Sequence, residues 1–314
     1  MTGYIGRRLL GIGINLIAVS ILVFLLLRVV PGDIAGAILG IDADPERAAA
    51  WKEQHGLNDP IPIQYLNWAG NLVTGDFGTS FNSRVSVSKE FLRKLPITLE
   101  IVFLSFFVTT TIGIVGGVIS ATRQNSLPDY SFRIFAILGI SIPNFLLLTL
   151  LLIIPARLFS YSPPFGATSL LDDPLRNLEL FLPATVLLAI GSSAGLMRLT
   201  RSTFLEVMRQ DYLRTARAKG LSERVVIYRH AFRNAIPPVM TLAGIQLGTL
   251  LGGTIIVEQI MSLPGLGAWT LTAIQFKDYP VVMAVTLYSA VMIMFISLVV
   301  DLCYAWMDPR IRLS

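Results

Sequence analysis

Six stretches of the chain are free of Asp, Glu, Lys and Arg and rich in Leu, Ile, Val and Phe. They cover 9–27, 101–122, 134–156, 180–197, 234–257 and 279–300, each at least 18 residues long. A helix needs about 20 predominantly apolar residues to cross the hydrocarbon core of a bilayer, so the pattern predicts six transmembrane helices. The first run follows Arg7 and Arg8 as a secretory leader would. Its 19 apolar residues nevertheless exceed a leader's apolar region of about 7–15, and Leu26-Leu27-Arg28-Val29-Val30 offers no small-residue cleavage site.

Two segments between the runs have a different texture. Residues 31–96 hold Pro31, Pro45, Pro60, Pro62 and Pro96, with short amphipathic pieces around Ala48 to Gln54 and Gln64 to Leu72. That segment is too short and too poor in apolar residues for an enzyme domain and suits a cap over the mouth of a pathway. Residues 198–233 are too polar to span, yet Leu205, Met208, Tyr212, Ala216, Ala218, Gly220 and Leu221 suggest short surface helices.

Composition agrees with the pattern. The chain of 314 residues is 54% hydrophobic and 14% charged, where a soluble domain carries about 25% charged residues, and its mean hydropathy is +0.67. One core cannot hold that apolar excess. The single Cys303 excludes an intramolecular disulfide, and His55 and His230, 175 positions apart, make a His/Cys metal cluster implausible.

The net charge of +5 does not point to nucleic acid, because the basic residues sort by membrane side and lack interleaved aromatics. With the N-terminus inside, 15 Lys and Arg fall in inner segments and eight in outer ones. Cytoplasmic loops carry the excess, so both termini are expected in the cytoplasm. The expected layout is a cytoplasmic N-terminus over 1–8, a first transmembrane helix over 9–30, an external loop with short helices over 31–96, and a transmembrane core over 97–314. The core has spans near 97–122, 134–158, 180–197, 234–257 and 279–303, and a cytoplasmic loop over 198–233.

Several chemistries lack their residues. Lys52, Lys89, Lys94, Lys219 and Lys277 follow Trp51, Ser88, Arg93, Ala218 and Phe276, so no G-x-x-x-x-G-K-[ST] phosphate loop exists. If ATP drives this protein, another chain hydrolyses it. A secondary transporter commonly sets ionisable residues near mid-membrane, and these runs have none; Glu100, Glu258 and Asp301 lie at run ends, where snorkelling would keep them hydrated. No H-E-x-x-H and no carboxylate pair inside a run supports a membrane enzyme. In the fifth run Gly244, Gly248 and Gly252 recur every four residues beside Gly253, which predicts a bare face for close helix packing. Asn144, Ser192, Ser193 and Gln246 are polar groups inside runs; they need partners in the bundle or line a wet pathway, and both readings stand open.

The loop 198–233 carries a resemblance. Asp211, Tyr212, Leu213, Arg214, Thr215, Ala216, Arg217, Ala218, Lys219 and Gly220, followed by Leu221, read D-Y-x-R-T-A-R-A-K-G, and His230 to Ala235 read H-x-x-R-N-A. These are similar to the dipeptide/oligopeptide branch of bacterial ABC importer permeases, a variant of the E-A-A-x-x-x-G loop in which Ala216 and Gly220 keep their places while Arg214 and Thr215 replace the glutamate and first alanine. Further matches keep order and spacing along the chain. They are Leu27-Arg28 with Pro31-Gly32-Asp33, Gly75-Asp76-Phe77-Gly78 with Ser80, Pro96 with Thr98-Leu99-Glu100, Gly139 to Asn144, Pro264-Gly265-Leu266-Gly267, Asp278-Tyr279-Pro280 and Asp308-Pro309-Arg310-Ile311-Arg312.

The resemblance implies the ABC importer type I transmembrane fold, in the bacterial inner membrane. It implies a homologous second permease subunit, two ATPase subunits that bind ATP and Mg, and an extracytoplasmic solute-binding protein met by the external loop. This chain itself would bind no cofactor and catalyse nothing. The loop around Ala216 and Gly220 would be the coupling helix, its small residues letting the ATPase approach, and transport would proceed by alternating access. The family carries dipeptides, longer peptides, glutathione, opines and nickel. The rival reading is a self-contained secondary transporter of small solutes.

Overall fold

The computed structural model describes residues 2–29, 44–54, 56–161 and 166–307. Among the motif residues above, Pro31-Gly32-Asp33 and Asp308 to Arg312 lie outside that range. Helices dominate the described residues, and by internal contacts they fall into two units, Met1–Ile97 with Pro264–Phe295 and Thr98–Leu263 with Ile296–Ser314.

The first unit contains α1 (Thr2–Val29), α2 (Pro45–Gln54), α3 (Ile61–Val73), the start of α4 (Val87–Thr122), α10 (Leu266–Gln275) and the start of α11 (Tyr279–Met307). The short helices α2 and α3 occupy the two amphipathic pieces expected in the loop. Aromatic rings bind α3 to α1: Phe24 meets Tyr65 edge-on at 5.4 Å and Trp68 at 5.7 Å, and Ser20 shares a 2.8 Å hydrogen bond with the Tyr65 hydroxyl. A second core gathers Val87, Phe91, Leu266, Ala273, Val281, Ala284 and Val285, with Phe91 edge-on to both Phe77 and Tyr288. Buried Asp278 closes this unit by accepting from the Ser80 hydroxyl, Phe81 N at 3.0 Å and Asn82 N at 3.3 Å. Two sequence motifs nearly 200 positions apart thus meet on one carboxylate.

The second unit is built around α7 (Pro174–Met208), with the rest of α4, α5 (Leu127–Ser141), α6 (Asn144–Phe159), α8 (Asp211–Ala218) and α9 (Phe232–Ile260). A single turn, Glu223–Val225, and a six-residue π-helix, Val226–Ala231, lead into α9. Asp173 caps α7 by accepting from Arg176 N at 3.1 Å, with Pro174 in the first turn, where its missing N–H costs nothing. Helix α4 approaches α7 so closely that a Cβ on Gly113 would lie 2.9 Å from Leu196, one on Gly116 2.6 Å from Met197 and one on Gly117 2.5 Å from Thr200.

Two expectations are corrected here. The third apolar run is not one straight span: α5 and α6 bend by 106° at Ile142–Pro143, a broken span or a re-entrant loop. Pro143 has no N–H and pushes the residue before it out of the helical region, and Ile142 is extended at φ −90°, ψ 124°. Among the described residues, five other helices are long and apolar enough to cross a bilayer. The glycine stripe of α9 is also not one packing face. Gly244 lies against Val300 and Gly253 against Leu188, whereas Gly252 has no atom within 4 Å of where its Cβ would stand. Helix ends also run past the apolar stretches, since α4 begins at Val87 and α7 continues to Met208. Bilayer thickness sets the apolar length, whereas hydrogen bonding and caps set the helix length.

Candidate functional site

Helix α8 follows α7 after the two-residue turn Arg209–Gln210. Asp211 stands in its first turn and Arg217 in its last, both favourable to the helix dipole. Leu213 and Ala216, three apart on one face, are buried with Phe204 of α7, Val118 and Ala121 of α4, Val226 and Ala231 of the π-helix, and Ala235 at the base of α9. The opposite face is polar. Asp211, Tyr212, Arg214, Thr215, Ala218, Lys219, Gly220 and Leu221 are exposed, and Arg217 is half-buried.

The helix ends in a Schellman motif. Gly220 has φ +78°; its N–H donates to Arg217 O at 2.9 Å, and Leu221 N–H donates to Ala216 O at 3.4 Å. Glycine takes that left-handed backbone at least cost. Arg217 donates from Nε and Nη2 to Glu223 at 3.1 and 2.9 Å, tying α8 to the turn after it, and the carboxylate raises the guanidinium above its usual range. Asn234 Nδ2 donates to the Tyr212 hydroxyl at 2.8 Å and to His230 O at 3.0 Å. The D-Y and R-N-A motifs are therefore in contact.

One sequence expectation fails at this helix. Of the small residues expected to let the ATPase approach, Ala216 is not exposed. At 8% exposure it packs against the chain's own core, because Leu213 and Ala216 together form the apolar stripe that anchors α8. Gly220 alone is open, with no atom within 4 Å of a Cβ position.

The intramembrane polar residues are placed as follows. Gln246 Nε2 of α9 donates to the Ser192 carbonyl of α7 at 2.7 Å, and the buried Ser193 hydroxyl donates to Ile190 O at 3.0 Å. Ser192 is half-buried. Asn144 opens α6, and its side chain lies outside the described residues. Gln246 and Ser192 thus join two helices, whereas Ser193 bonds within its own.

Two charged residues were not anticipated in these roles. Glu258 does not snorkel: it is fully buried in the last turn of α9 and accepts from the Thr98 hydroxyl of α4 at 2.8 Å. Helix α9 continues past the apolar run to Ile260, which turns Glu258 inward. Asp129, also fully buried, receives Arg201 Nε at 2.9 Å and Nη2 at 3.0 Å, the Ser120 hydroxyl, and Asn125 N at 3.0 Å. This cluster fastens α4, α5 and α7 at one end of the second unit. Arg201 was one of nine basic residues in a loop and Asp129 sat in a short charged connection, with no spacing rule to link positions 72 apart.

Two family models cover nearly the whole chain. "Binding-protein-dependent transport system inner membrane component" matches residues 113–313, and the corresponding N-terminal family matches 1–102. The chain belongs to this family of ABC importer permeases. It is a multi-pass inner-membrane protein and the permease subunit of an ATP-driven importer, a transport component of a family that works with ATPase subunits and binding proteins. The oligopeptide transport system permease protein AppB of Bacillus subtilis is 40% identical over 322 residues, covering 99% of this chain and 100% of the relative. The dipeptide transport system permease protein DppB of Alkalihalophilus pseudofirmus is 37% identical over 332 residues, covering 99% and 100%. Among solved structures, an inward-facing MetNI methionine ABC transporter superposes with TM-score 0.54 at 20% identity, covering 69% of this permease and 96% of that chain. An amino acid ABC transporter crystallised with histidines gives TM-score 0.51 at 18% identity, covering 68% and 92%. These two likenesses establish the fold, that of ABC importer transmembrane subunits.

Proposed function

We propose that this permease carries peptides, that it forms half of the pathway with a homologous second permease, and that α8 is its coupling helix. The observation that carries the reading is the division of α8 into two faces. Leu213 and Ala216 key the helix into α4, α7 and the base of α9, while a basic, exposed rim ending at the open Gly220 is left for another protein. A helix set this way passes force from its outer face to several spans at once. ATP and Mg would be held by two ATPase subunits docked on that rim, since this chain has no phosphate loop. Both termini would lie in the cytoplasm with α8, as the excess of Lys and Arg in the inner segments supports.

The segment with α2 and α3 would face outside and meet the solute-binding protein. Transport follows by alternating access: ATP-driven approach of the ATPases displaces α8, and the spans packed on it reorient. The substrate class rests on the named relatives, which are oligopeptide and dipeptide permeases.

The test is reconstitution in proteoliposomes with the second permease, the ATPases and the binding protein. A mixture of di- to pentapeptides is offered outside, and uptake is read by mass spectrometry. Uptake that requires ATP and every subunit is expected. Uptake by this chain alone, driven by an ion gradient without ATP, would establish the secondary transporter instead.

A further inference from the structure

The connector between α8 and α9 is mechanically weak at three successive places. Gly220 turns the chain with a left-handed backbone. Residues Val226–Ala231 then form a π-helix, an overwide turn with poorer packing along its axis that recurs at functional sites. Beyond it, Pro237 and Pro238 lie inside α9, and because neither has an N–H, the carbonyls of Arg233 and Asn234 lose their i+4 donors. A push on α8 would be absorbed by bending this connector unless something bridges it.

The other attachments of α8 do not bridge it. Leu213 and Ala216 make apolar contacts, which are non-directional and allow the helix to roll about its own axis. The Arg217–Glu223 pair ends on the turn before the π-helix. Among the described residues, the Tyr212–Asn234 hydrogen bond is the one side-chain bond that joins α8 to α9 past the π-helix. Asn234 uses its second amide proton on His230 O, so the same side chain also closes the π-helix from within. Tyr212 is 42% exposed, so its hydroxyl bond and not burial fixes its place.

We propose that Tyr212 and Asn234 are positioning residues whose hydrogen bond braces α8 to the base of α9, so that the two helices move as one body and displacement of α8 reaches the membrane-spanning part of α9. This rests on α8 being the coupling helix.

The test uses the complete importer on a Cys303→Ser background, with spin labels at Arg214→Cys on the exposed rim of α8 and Ile245→Cys on the exposed face of α9. Electron–electron double resonance is recorded without nucleotide and after trapping with ATP and vanadate. With Tyr212 and Asn234 intact, the label-to-label distance should be single and unchanged by trapping. Tyr212→Phe, which removes one oxygen, and Asn234→Leu should each widen the trapped distribution by about twofold or split it, as a loosened joint samples more than one geometry. Distributions as narrow as that of the unaltered pair in both variants refute the brace. The Arg214 label also reports docking by itself, through loss of nitroxide mobility when the ATPase subunits are added. No such loss refutes α8 as the coupling helix, and the brace with it; loss of mobility with unaltered distances refutes the brace alone.

Discussion

Replacing Gly117 by alanine measures how tightly α4 and α7 are packed. The new Cβ would stand 2.5 Å from Thr200 Cβ, 2.8 Å from its Cγ2 and 2.9 Å from the Met197 carbonyl oxygen. Carbon atoms rest at about 3.5–4.0 Å, so the shortfall is about 1 Å. Thr200 cannot swing aside without losing its 2.8 Å bond to Leu196 O, and the Met197 oxygen is backbone. The helices must therefore separate, which also unseats Gly113 and Gly116. Overpacking of this kind costs about 1–3 kcal/mol, against a helix-propensity gain of about 0.5–1 kcal/mol on replacing glycine. The net expectation is a loss of up to about 2.5 kcal/mol. Gly252→Ala collects the propensity gain alone, because nothing lies within 4 Å. The two substitutions should shift the midpoint of SDS-induced unfolding in mixed micelles in opposite directions, followed by tryptophan fluorescence. Equal shifts, or a stabilised Gly117→Ala, would show that α4 and α7 do not meet at this seam.

Asp129→Asn keeps the shape and deletes the charge, leaving the mostly buried Arg201 unpaired; breaking a buried pair this way costs about 3–5 kcal/mol, readable in the same titration. A loss under about 1 kcal/mol would mean that water already serves both groups. A Cβ on Gly220 would meet no atom of this chain within 4 Å, so within the chain Gly220→Val carries chiefly the strain of a β-branched residue at φ +78°, about 1–2 kcal/mol. Expression near normal with peptide uptake abolished is expected if, as proposed, an ATPase docks on α8 and meets the added bulk; uptake equal to the unaltered importer would exclude this loop from coupling. For orientation, a cysteine at Asp59 should react with an impermeant thiol reagent in intact cells and one at Ser222 should not, and the reverse labelling would invert the topology.

The spans and the two short helices α2 and α3 were legible because bilayer thickness and helical periodicity write themselves into runs of neighbouring residues. Ala216 was legible as helical, but which way it faced was not, since it suits a core as well as a docking surface, and Leu213, its partner in the buried stripe, stood only at the unspecified position of the motif. The bend at Pro143 was missed because proline alone does not decide it: Pro96, Pro183 and Pro237 all lie inside continuous helices. What separates them is the tertiary setting. The ties made by Asp129, Glu258 and Asp278 were hidden for another reason, as each joins residues between 72 and 198 positions apart with no repeating interval.

One signal was present and overlooked, and it explains how α4 is held. Between helices in a bilayer there is no hydrophobic gain from association, so contact depends on close approach and on hydrogen bonds. Thr98, Ser105, Thr109, Gly113, Gly116 or Gly117, and Ser120 follow one another along α4 at intervals of seven, four, four, three or four, and three or four. That is the spacing of a single helical face. Its two ends carry the polar ties, Thr98 to Glu258 and Ser120 to Asp129, and its middle carries the glycines that admit Leu196, Met197 and Thr200. Small residues bring α4 close to α7, and the ties, to Glu258 of α9 at one end and at the other to Asp129 of α5, where Arg201 of α7 also donates to Ser120 and Asp129, fix the register that the glycines, having no side chains, leave undetermined. A stripe of small residues bounded by hydroxyls that reach buried carboxylates thus specifies the neighbours of a helix, α7 along its middle and α9 and α5 at its ends, where apolar pattern alone could only specify a span.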